Sequence, residues 1–113
     1  MTIPIPFDDF LKVEVRAGTI VAADAFPEAR KPAFKLTIDF GPEVGVKRSS
    51  AQITDLYSLE ALVGRKVMAV TNFAPRQIGP FMSEVLVLGA SDEQGRISLL
   101  APDHEVPDGS RMH

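Results

Sequence analysis

The sequence contains no cysteine, which excludes disulfide bonds and thiolate metal ligands. It also has no apolar run near the roughly 18–20 residues that a membrane-spanning helix needs, so we expect no membrane insertion. The N-terminal segment M-T-I-P-I-P-F-D-D-F has neither basic residues nor a long apolar core, and it does not resemble a signal peptide. These absences predict a cytoplasmic protein.

Groups suited to catalysis are scarce. The two histidines, His104 and His113, lie in a tail rich in proline and acids and at the chain end. Ser49 and Ser50 have no neighbouring base to activate a hydroxyl, and the acids show no metal-ligand spacing. The segment G-P-E-V-G-V-K-R-S, which starts at Gly41, lacks the spacing of a phosphate-binding loop. We therefore expect no enzyme activity, no metal, no cofactor and no use of ATP.

Charge is unevenly distributed along the chain. The formal net charge of −3 is unlike that of a protein whose whole surface binds nucleic acid. Residues 30–76 nevertheless contain eight basic residues against four acids, whereas the tail from Ser91 onward is acidic. The middle of the chain can therefore present a positive face, although scattered, solvated charge fits the counts slightly better.

Short strands punctuated by glycine and proline dominate the predicted elements. Residues 34–40 alternate cleanly, and their even-numbered apolar side chains are predicted to face inward. A change of parity at Gly18 predicts a bulge that bends the first strand, so that it pairs with two neighbours. We predict strands over 13–23, 34–40, 46–53, 66–72, 84–88 and 96–100, and a helix over 59–63 that Ser58 caps and Gly64 ends.

The N-terminal segment is predicted to form one helical turn over Phe7–Leu11. Asp8 or Asp9 is expected to cap this turn, with Phe7 and Phe10 packed on the end of the barrel.

The order of these elements predicts an all-β fold, namely a five-stranded OB-type Greek-key barrel with a short helix between strands 3 and 4. A six-stranded sandwich is the alternative. The 113 residues are enough for one domain with one core. We expect a single domain over 1–113, with a core over about 13–89 and terminal extensions over 1–12 and 90–113.

The run V-L-V-L at 85–88 is apolar on both faces of its strand. Because only one face of a small barrel points inward, the other face needs a cover, either the C-terminal segment or a second subunit. Closed symmetric pairs are the commonest assemblies, so we expect a homodimer to which the terminal extensions contribute.

A candidate binding surface lies in the segment Asn72–Gly89, which reads N-F-A-P-R-Q-I-G-P-F-M-S-E-V-L-V-L-G. Loops are usually polar because their backbone needs water, yet this one contains Phe81 and Met82 near Arg76. The pattern indicates contact with another molecule, or else a loop folded over its own core.

The third predicted strand supplies basic and hydroxyl groups. Lys47 and Ser49 share one face of this strand, while Arg48 and Ser50 share the other. Barrels of the OB type use their second and third strands as a binding face. Periodicity alone leaves open which of the two sets points outward.

Four motifs of this chain resemble the tRNA-binding OB domain that is appended to some aminoacyl-tRNA synthetases and that also occurs free. They lie within Val13–Gly89 and read V-E-V-R-A-G-T-I-V-A-A-D, F-P-E-A-R, Y-S-L-E-A-L-V-G-R-K-V and N-F-A-P-R. Nearly the whole chain further resembles the stand-alone bacterial members of this family, which are secretion-related chaperones. The sections that carry this narrower similarity are F-P-E-A-R-K-P-A-F-K-L-T-I-D-F-G, S-S-A-Q-I-T and S-E-V-L-V-L-G.

The resemblance implies a homodimeric chaperone that binds unfolded or presecretory polypeptides without ATP, in a hydrophobic pocket flanked by basic residues. The alternative it implies is a structure-specific tRNA-binding protein. The candidate peptide- or RNA-binding residues, assigned by motif position and chemistry, are Lys47, Arg48, Ser50, Phe73, Arg76, Phe81, Met82 and Ser83.

One section departs from the tRNA-binding members of the family, which tend to read S-Q-G-M where this chain has S-E-V-L at 83–86. Glu84 places an acid where an RNA phosphate would approach, and Val85 removes the room that a glycine leaves for close backbone contact. Both changes favour polypeptide over RNA.

Overall fold

The computed structural model describes residues 2–113. Its three short helices are α1 (Phe7–Lys12), α2 (Gly41–Val44) and α3 (Leu59–Leu62). Its strands are β1 (Val15–Ala25), β2 (Phe34–Asp39), β3 (Val46–Ala51), β4 (Lys66–Val70), β5 (Arg76–Ile78), β6 (Phe81–Ser83), β7 (Leu86–Val87), β8 (Gly89–Ser91) and β9 (Ile97–Leu99). None of the helices in this described part is long and apolar enough to cross a membrane.

Five antiparallel strands form the main sheet, in the order β3-β2-β1-β4-β7. The sheet curls until β3 meets the segment that leads into β7, where the Ser49 hydroxyl donates to the Val85 carbonyl oxygen at 3.0 Å. At the same seam the Glu84 amide donates to the Arg48 carbonyl oxygen at 2.8 Å. The result is a nearly closed barrel with α3 between β3 and β4, so the predicted OB-type fold is confirmed.

Strand β1 is long enough to pair with both of its neighbours, as predicted. Val15–Thr19 pairs with β4, and the register with β2 continues from Thr19 to the end of the strand. The predicted position of the bulge was wrong, because the register shifts between Ile20 and Ala22 and not at Gly18. Glycine is needed at 18 for space, since an added Cβ would lie 2.7 Å from side-chain atoms of both Ile38 and Phe40.

The core follows the alternation of β2. Leu36, Ile38 and Phe40 are fully buried, and Phe34 packs against the same cluster. Helix α3 adds Leu62, which is also fully buried, and the helix begins where the Ser58 hydroxyl accepts from the Ala61 amide at 3.2 Å. The inward face of β2 and the cap of α3 are therefore as predicted.

Helix α1 differs from its prediction in two ways. Its N-cap is Pro6, without a side-chain cap, so Asp8 and Asp9 lie in the first turn instead of capping it. Phe7 is 70% exposed and contacts Phe10 at a ring-centroid distance of 5.9 Å. An acid in the first turn still interacts favourably with the helix dipole, which explains its place there. Phe7 does not pack on the barrel end.

The C-terminal segment lies along β1 of its own chain. The amides of Gly109 and Met112 donate to the carbonyl oxygens of Ala17 and Val15, at 2.7 and 2.8 Å. Asp108 anchors the segment, because its Oδ1 accepts from Thr19 Oγ1 and pairs with Lys66 Nζ, each at 2.7 Å. This segment therefore covers the part of β1 that β2 leaves unpaired.

The Asp108 anchor predicts a pH-dependent stability. Burial alone would raise the pKa of Asp108, but the hydrogen bonds from Lys66 and Thr19 outweigh burial and lower the pKa below its ordinary value of 3.8. A lowered pKa stabilises the fold above the unfolded-state value, and this stabilisation is lost as the pH falls through the folded-state value. At neutral pH we expect Asp108→Asn to reduce the free energy of unfolding by about 1.5 kcal/mol in a urea titration.

The loss in Asp108→Asn should shrink toward zero in acid, where the wild-type carboxyl is itself protonated. The matched control is Asp103→Asn, since the Asp103 side chain is fully exposed and its carboxylate lies 3.6 Å from the exposed His104. A difference between Asp108→Asn and wild type that is equal at neutral and acidic pH would contradict the anchor.

Candidate binding surface

An open groove of about 560 Å³ lies on one side of the barrel, beside the seam that closes it. Its walls come from the end of β3, the segment after β4, the strands β5 and β6, the strand β7 with the residues before it, and the β8–β9 hairpin. Its apolar lining includes Phe73, Ile78, Leu86, Leu88, Ile97 and Leu99. The groove is therefore a concave, partly apolar surface that is continuous with the core.

Phe73 and Leu86 are the open apolar side chains of this groove, with 51% and 48% of their surface exposed. Leu86 points outward because its neighbour Val85 takes the inward position and is buried. The outer face of the V-L-V-L run is thus uncovered in the single chain at Leu86. The same run predicted that one of its faces needs a cover.

Phe73 is held in place by the residue before it. The Asn72 side chain accepts from the Glu14 amide at 2.9 Å and donates to the Lys12 carbonyl oxygen at 2.7 Å. In addition, the Thr71 amide donates to the Glu14 carbonyl oxygen at 2.8 Å. The N-F-A-P-R motif therefore fixes the backbone that presents Phe73 to the groove.

The segment predicted as an open loop is a hairpin of β5 and β6. Arg76 pairs with Ser83 and Ile78 with Phe81, while Gly79 turns the chain with a φ of +57°. The sequence signal for this hairpin is the Gly-Pro turn at 79–80 between two short runs, which the prediction read only as loop punctuation. Met82 lies on the outer side of the hairpin and is 46% exposed.

Phe81 is buried, so of the two alternatives that the sequence left open for this residue, contact with another molecule or packing on its own core, the structure shows the second. Its ring packs against Phe26 at a centroid distance of 5.3 Å and is 4% exposed. Together with Ala33 these rings form a second, smaller apolar cluster. The Arg48 guanidinium lies 4.6 Å from the Phe81 ring centroid, and Lys35 Nζ lies 5.5 Å from that of Phe26. The buried Phe81 and Phe26 rings therefore lie under the cationic side chains of Arg48 and Lys35 and interact favourably with them.

The orientation of β3 settles which parity faces outward. Ser49 and Ala51 are buried, so Arg48 and Ser50 lie on the outer face. The Ser50 amide donates to the Ser83 hydroxyl oxygen at 3.0 Å, which connects β3 to the β5–β6 hairpin. Arg48 is exposed while its neighbour Lys47 is partly buried.

The structure brings together part of the predicted site. Four of the predicted residues line the groove: Ser50, Phe73, Arg76 and Ser83. The other four lie beside it, on β3 and on the β5–β6 hairpin: Lys47, Arg48, Phe81 and Met82. Four further groove residues were not predicted from the sequence, namely Leu86, Leu88, Ile97 and Leu99. The two apolar faces of 85–88 were the signal that could have identified the first two.

Comparison with known proteins gives a consistent result. The model of the family described as "Putative tRNA binding domain" matches residues 15–111. The crystal structure of the chaperone CsaA from Bacillus anthracis str. Ames is 48% identical, with a TM-score of 0.92, and the match covers 98% of this chain and 100% of that one. The CsaA chaperone from Picrophilus torridus is 47% identical, with a TM-score of 0.91, over 97% and 100% of the two chains. The predicted resemblance to stand-alone chaperones of this family is confirmed.

The curated relatives are much longer enzymes. Methionine–tRNA ligase 1 of Sorangium cellulosum is 42% identical over 106 residues, a match that covers 94% of this chain and 15% of the ligase. The chain thus spans about 15% of the length of the curated relatives it matches. In those relatives the matching part is one module of a larger protein.

Proposed function

We propose a function from the premise that this chain belongs to the tRNA binding domain family: it is an ATP-independent chaperone that binds unfolded or presecretory polypeptides in the cytoplasm. The observation that carries this proposal is the groove itself, in which Phe73 and Leu86 are about half exposed above an apolar lining. The similarity to CsaA chaperones over the full length of the chain supports it.

The energetics of such a groove suit transient binding. Covering a half-exposed Phe or Leu side chain contributes about 1 kcal/mol each, and the remaining apolar lining contributes further. Ordering a flexible polypeptide opposes this gain. We expect dissociation constants in the micromolar range, which correspond to a binding free energy of about −8 kcal/mol. Binding of this strength allows a client to be released without ATP.

Exposed arginines at the edge of the groove are expected to affect how fast a client associates. Arg76 is exposed at one side of the groove, and Arg48 is exposed on the neighbouring face of β3. Charges at a rim mainly affect the rate of association and its salt dependence. Met82, on the same hairpin as Arg76, adds a flexible apolar side chain that adapts to varied partners.

The chaperone function is tested by light scattering of a chemically unfolded protein diluted into buffer that contains no nucleotide. We expect this protein to suppress aggregation near equimolar amounts. Aggregation as extensive as that seen with an equal concentration of serum albumin would contradict the proposal.

A second function, tRNA binding, is favoured by the family match over residues 15–111 and by the outward Arg48. Phe73 offers a half-exposed ring on which an unpaired base can stack. If tRNA is a physiological ligand, the logarithm of its affinity falls steeply with the logarithm of salt concentration. No mobility shift of tRNA at low salt would reject this function.

We also propose that the protein acts as a homodimer. The N-terminal extension exposes four large apolar side chains, which are Ile3, Ile5, Phe7 and Leu11. An exposed apolar segment of this kind is typical of a surface that another chain covers. Sedimentation equilibrium should give twice the chain mass, and a single-chain mass across the micromolar range would contradict the dimer.

A further inference from the structure

Glu84 lies at the seam where the basic strand β3 meets the segment that leads into β7, beside the groove. Its amide donates to the Arg48 carbonyl oxygen at 2.8 Å, and its Oε1 accepts from the Arg48 amide at 3.0 Å. Its Oε2 lies 4.0 Å from Lys47 Nζ. About a third of the side chain is exposed, and Glu84 is among the residues that line the groove. The Glu84 carboxylate therefore accepts a hydrogen bond at the seam, lies near Lys47 and forms part of the groove lining.

The fold requires an acceptor at this position but not a negative charge. The Arg48 amide needs one oxygen, and the side-chain carbonyl of a glutamine would accept the same hydrogen bond. The charge offsets that of Lys47 and so removes positive potential that the groove wall would otherwise present to a phosphate. Because Lys47 and Glu84 are both partly exposed, their ion pair contributes little to stability. The charge therefore acts mainly on what approaches the groove.

We propose that Glu84 is a specificity-determining residue that admits polypeptide to the groove and disfavours RNA. This inference rests on the proposed chaperone function and concerns the selectivity of the same groove. A phosphate that approaches the outward Arg48 from the groove side meets the Glu84 carboxylate and loses Lys47 as a contact. An apolar polypeptide segment carries no such charge, so the carboxylate costs it little.

The test compares Glu84→Gln with wild type by titrating labelled tRNA at two salt concentrations. We expect the variant to bind tRNA about tenfold more tightly at about 0.05 M salt, with a salt slope steeper by about one, because one phosphate contact is gained. The matched control is Glu93→Gln, which removes the same charge from an exposed position in the β8–β9 turn. We expect the control to change the tRNA affinity less than about twofold, because the charge it removes lies outside the groove lining.

The inference would be overturned if Glu84→Gln left the tRNA affinity and its salt dependence unchanged. It would also be overturned if Glu93→Gln raised the tRNA affinity as much as Glu84→Gln, because the effect would then come from the net charge of the protein alone. Urea unfolding of Glu84→Gln reports whether the seam is intact. Polypeptide titration of the wild type separates the two claims. If wild type binds no polypeptide, the chaperone proposal fails, while the tRNA comparison still decides whether this carboxylate excludes RNA.

Discussion

The double variant Phe73→Ala/Leu86→Ala should bind an unfolded polypeptide about 30-fold more weakly than wild type, which corresponds to a loss of about 2 kcal/mol. Both side chains are about half exposed in the free protein and line the groove. A client therefore buries the exposed half of each ring or branched chain, and alanine removes that area. Fluorescence anisotropy of a labelled presecretory segment measures the change.

The matched control for this variant is Val21→Ala/Val63→Ala. Val21 and Val63 are 48% and 52% exposed and lie outside the groove lining, so the control removes exposed apolar surface from elsewhere on the barrel. An equal loss of affinity in both double variants would mean that the polypeptide binds to general apolar surface. The mass of each variant in sedimentation shows whether Leu86 also contributes to a subunit contact.

The variant Phe81→Ala should lower the free energy of unfolding by about 3 kcal/mol. Its ring is 4% exposed and forms the centre of the small cluster with Phe26 and Ala33. Removing the ring takes away its contact with Phe26 and leaves a cavity, and the Arg48 guanidinium loses the ring over which it lies. Urea denaturation followed by circular dichroism measures the loss.

The variant Phe81→Leu serves as the comparison for Phe81→Ala. Leucine fills most of the cavity, so we expect a cost of about 1 kcal/mol and polypeptide binding that stays near the wild-type level. Phe81→Ala should bind polypeptide more weakly, because the β5–β6 hairpin that carries Arg76 and Met82 loses its anchor. Wild-type stability in Phe81→Ala combined with weakened binding would show that the ring contacts the client directly.

The parts of the fold that could be predicted from the sequence are those in which a single local pattern determines the structure. The inward side chains of β2 follow from strict alternation, and the Ser58 cap places α3 without knowledge of the rest of the chain. Strand β1 pairs with both β2 and β4, as a bent strand between two neighbours requires. These features depend on backbone geometry and periodicity, which the residue types express directly.

The predictions that were wrong or left open concern contacts between distant segments. Gly18 has the signature of a bulge, but its role is to leave room for Ile38 and Phe40, which lie on β2 and at its end. For Phe81 the sequence left open whether it contacts a partner or its own core, and the packing of Phe26, from the β1–β2 connection, decides for the core. In both cases the deciding partner lies far along the chain, and no local pattern specifies its distance. The same reason hid the contribution of the β8–β9 hairpin to the groove.

The most direct test of the central claim is a parallel titration of an unfolded presecretory polypeptide and of tRNA at about 0.05 and 0.2 M salt. The groove predicts micromolar binding of the polypeptide that changes less than about threefold between the two conditions, because apolar burial is screened little by salt. It also predicts that tRNA binds more weakly than the polypeptide at the higher salt concentration. Tight, steeply salt-dependent binding of tRNA together with no measurable binding of polypeptide would contradict the account.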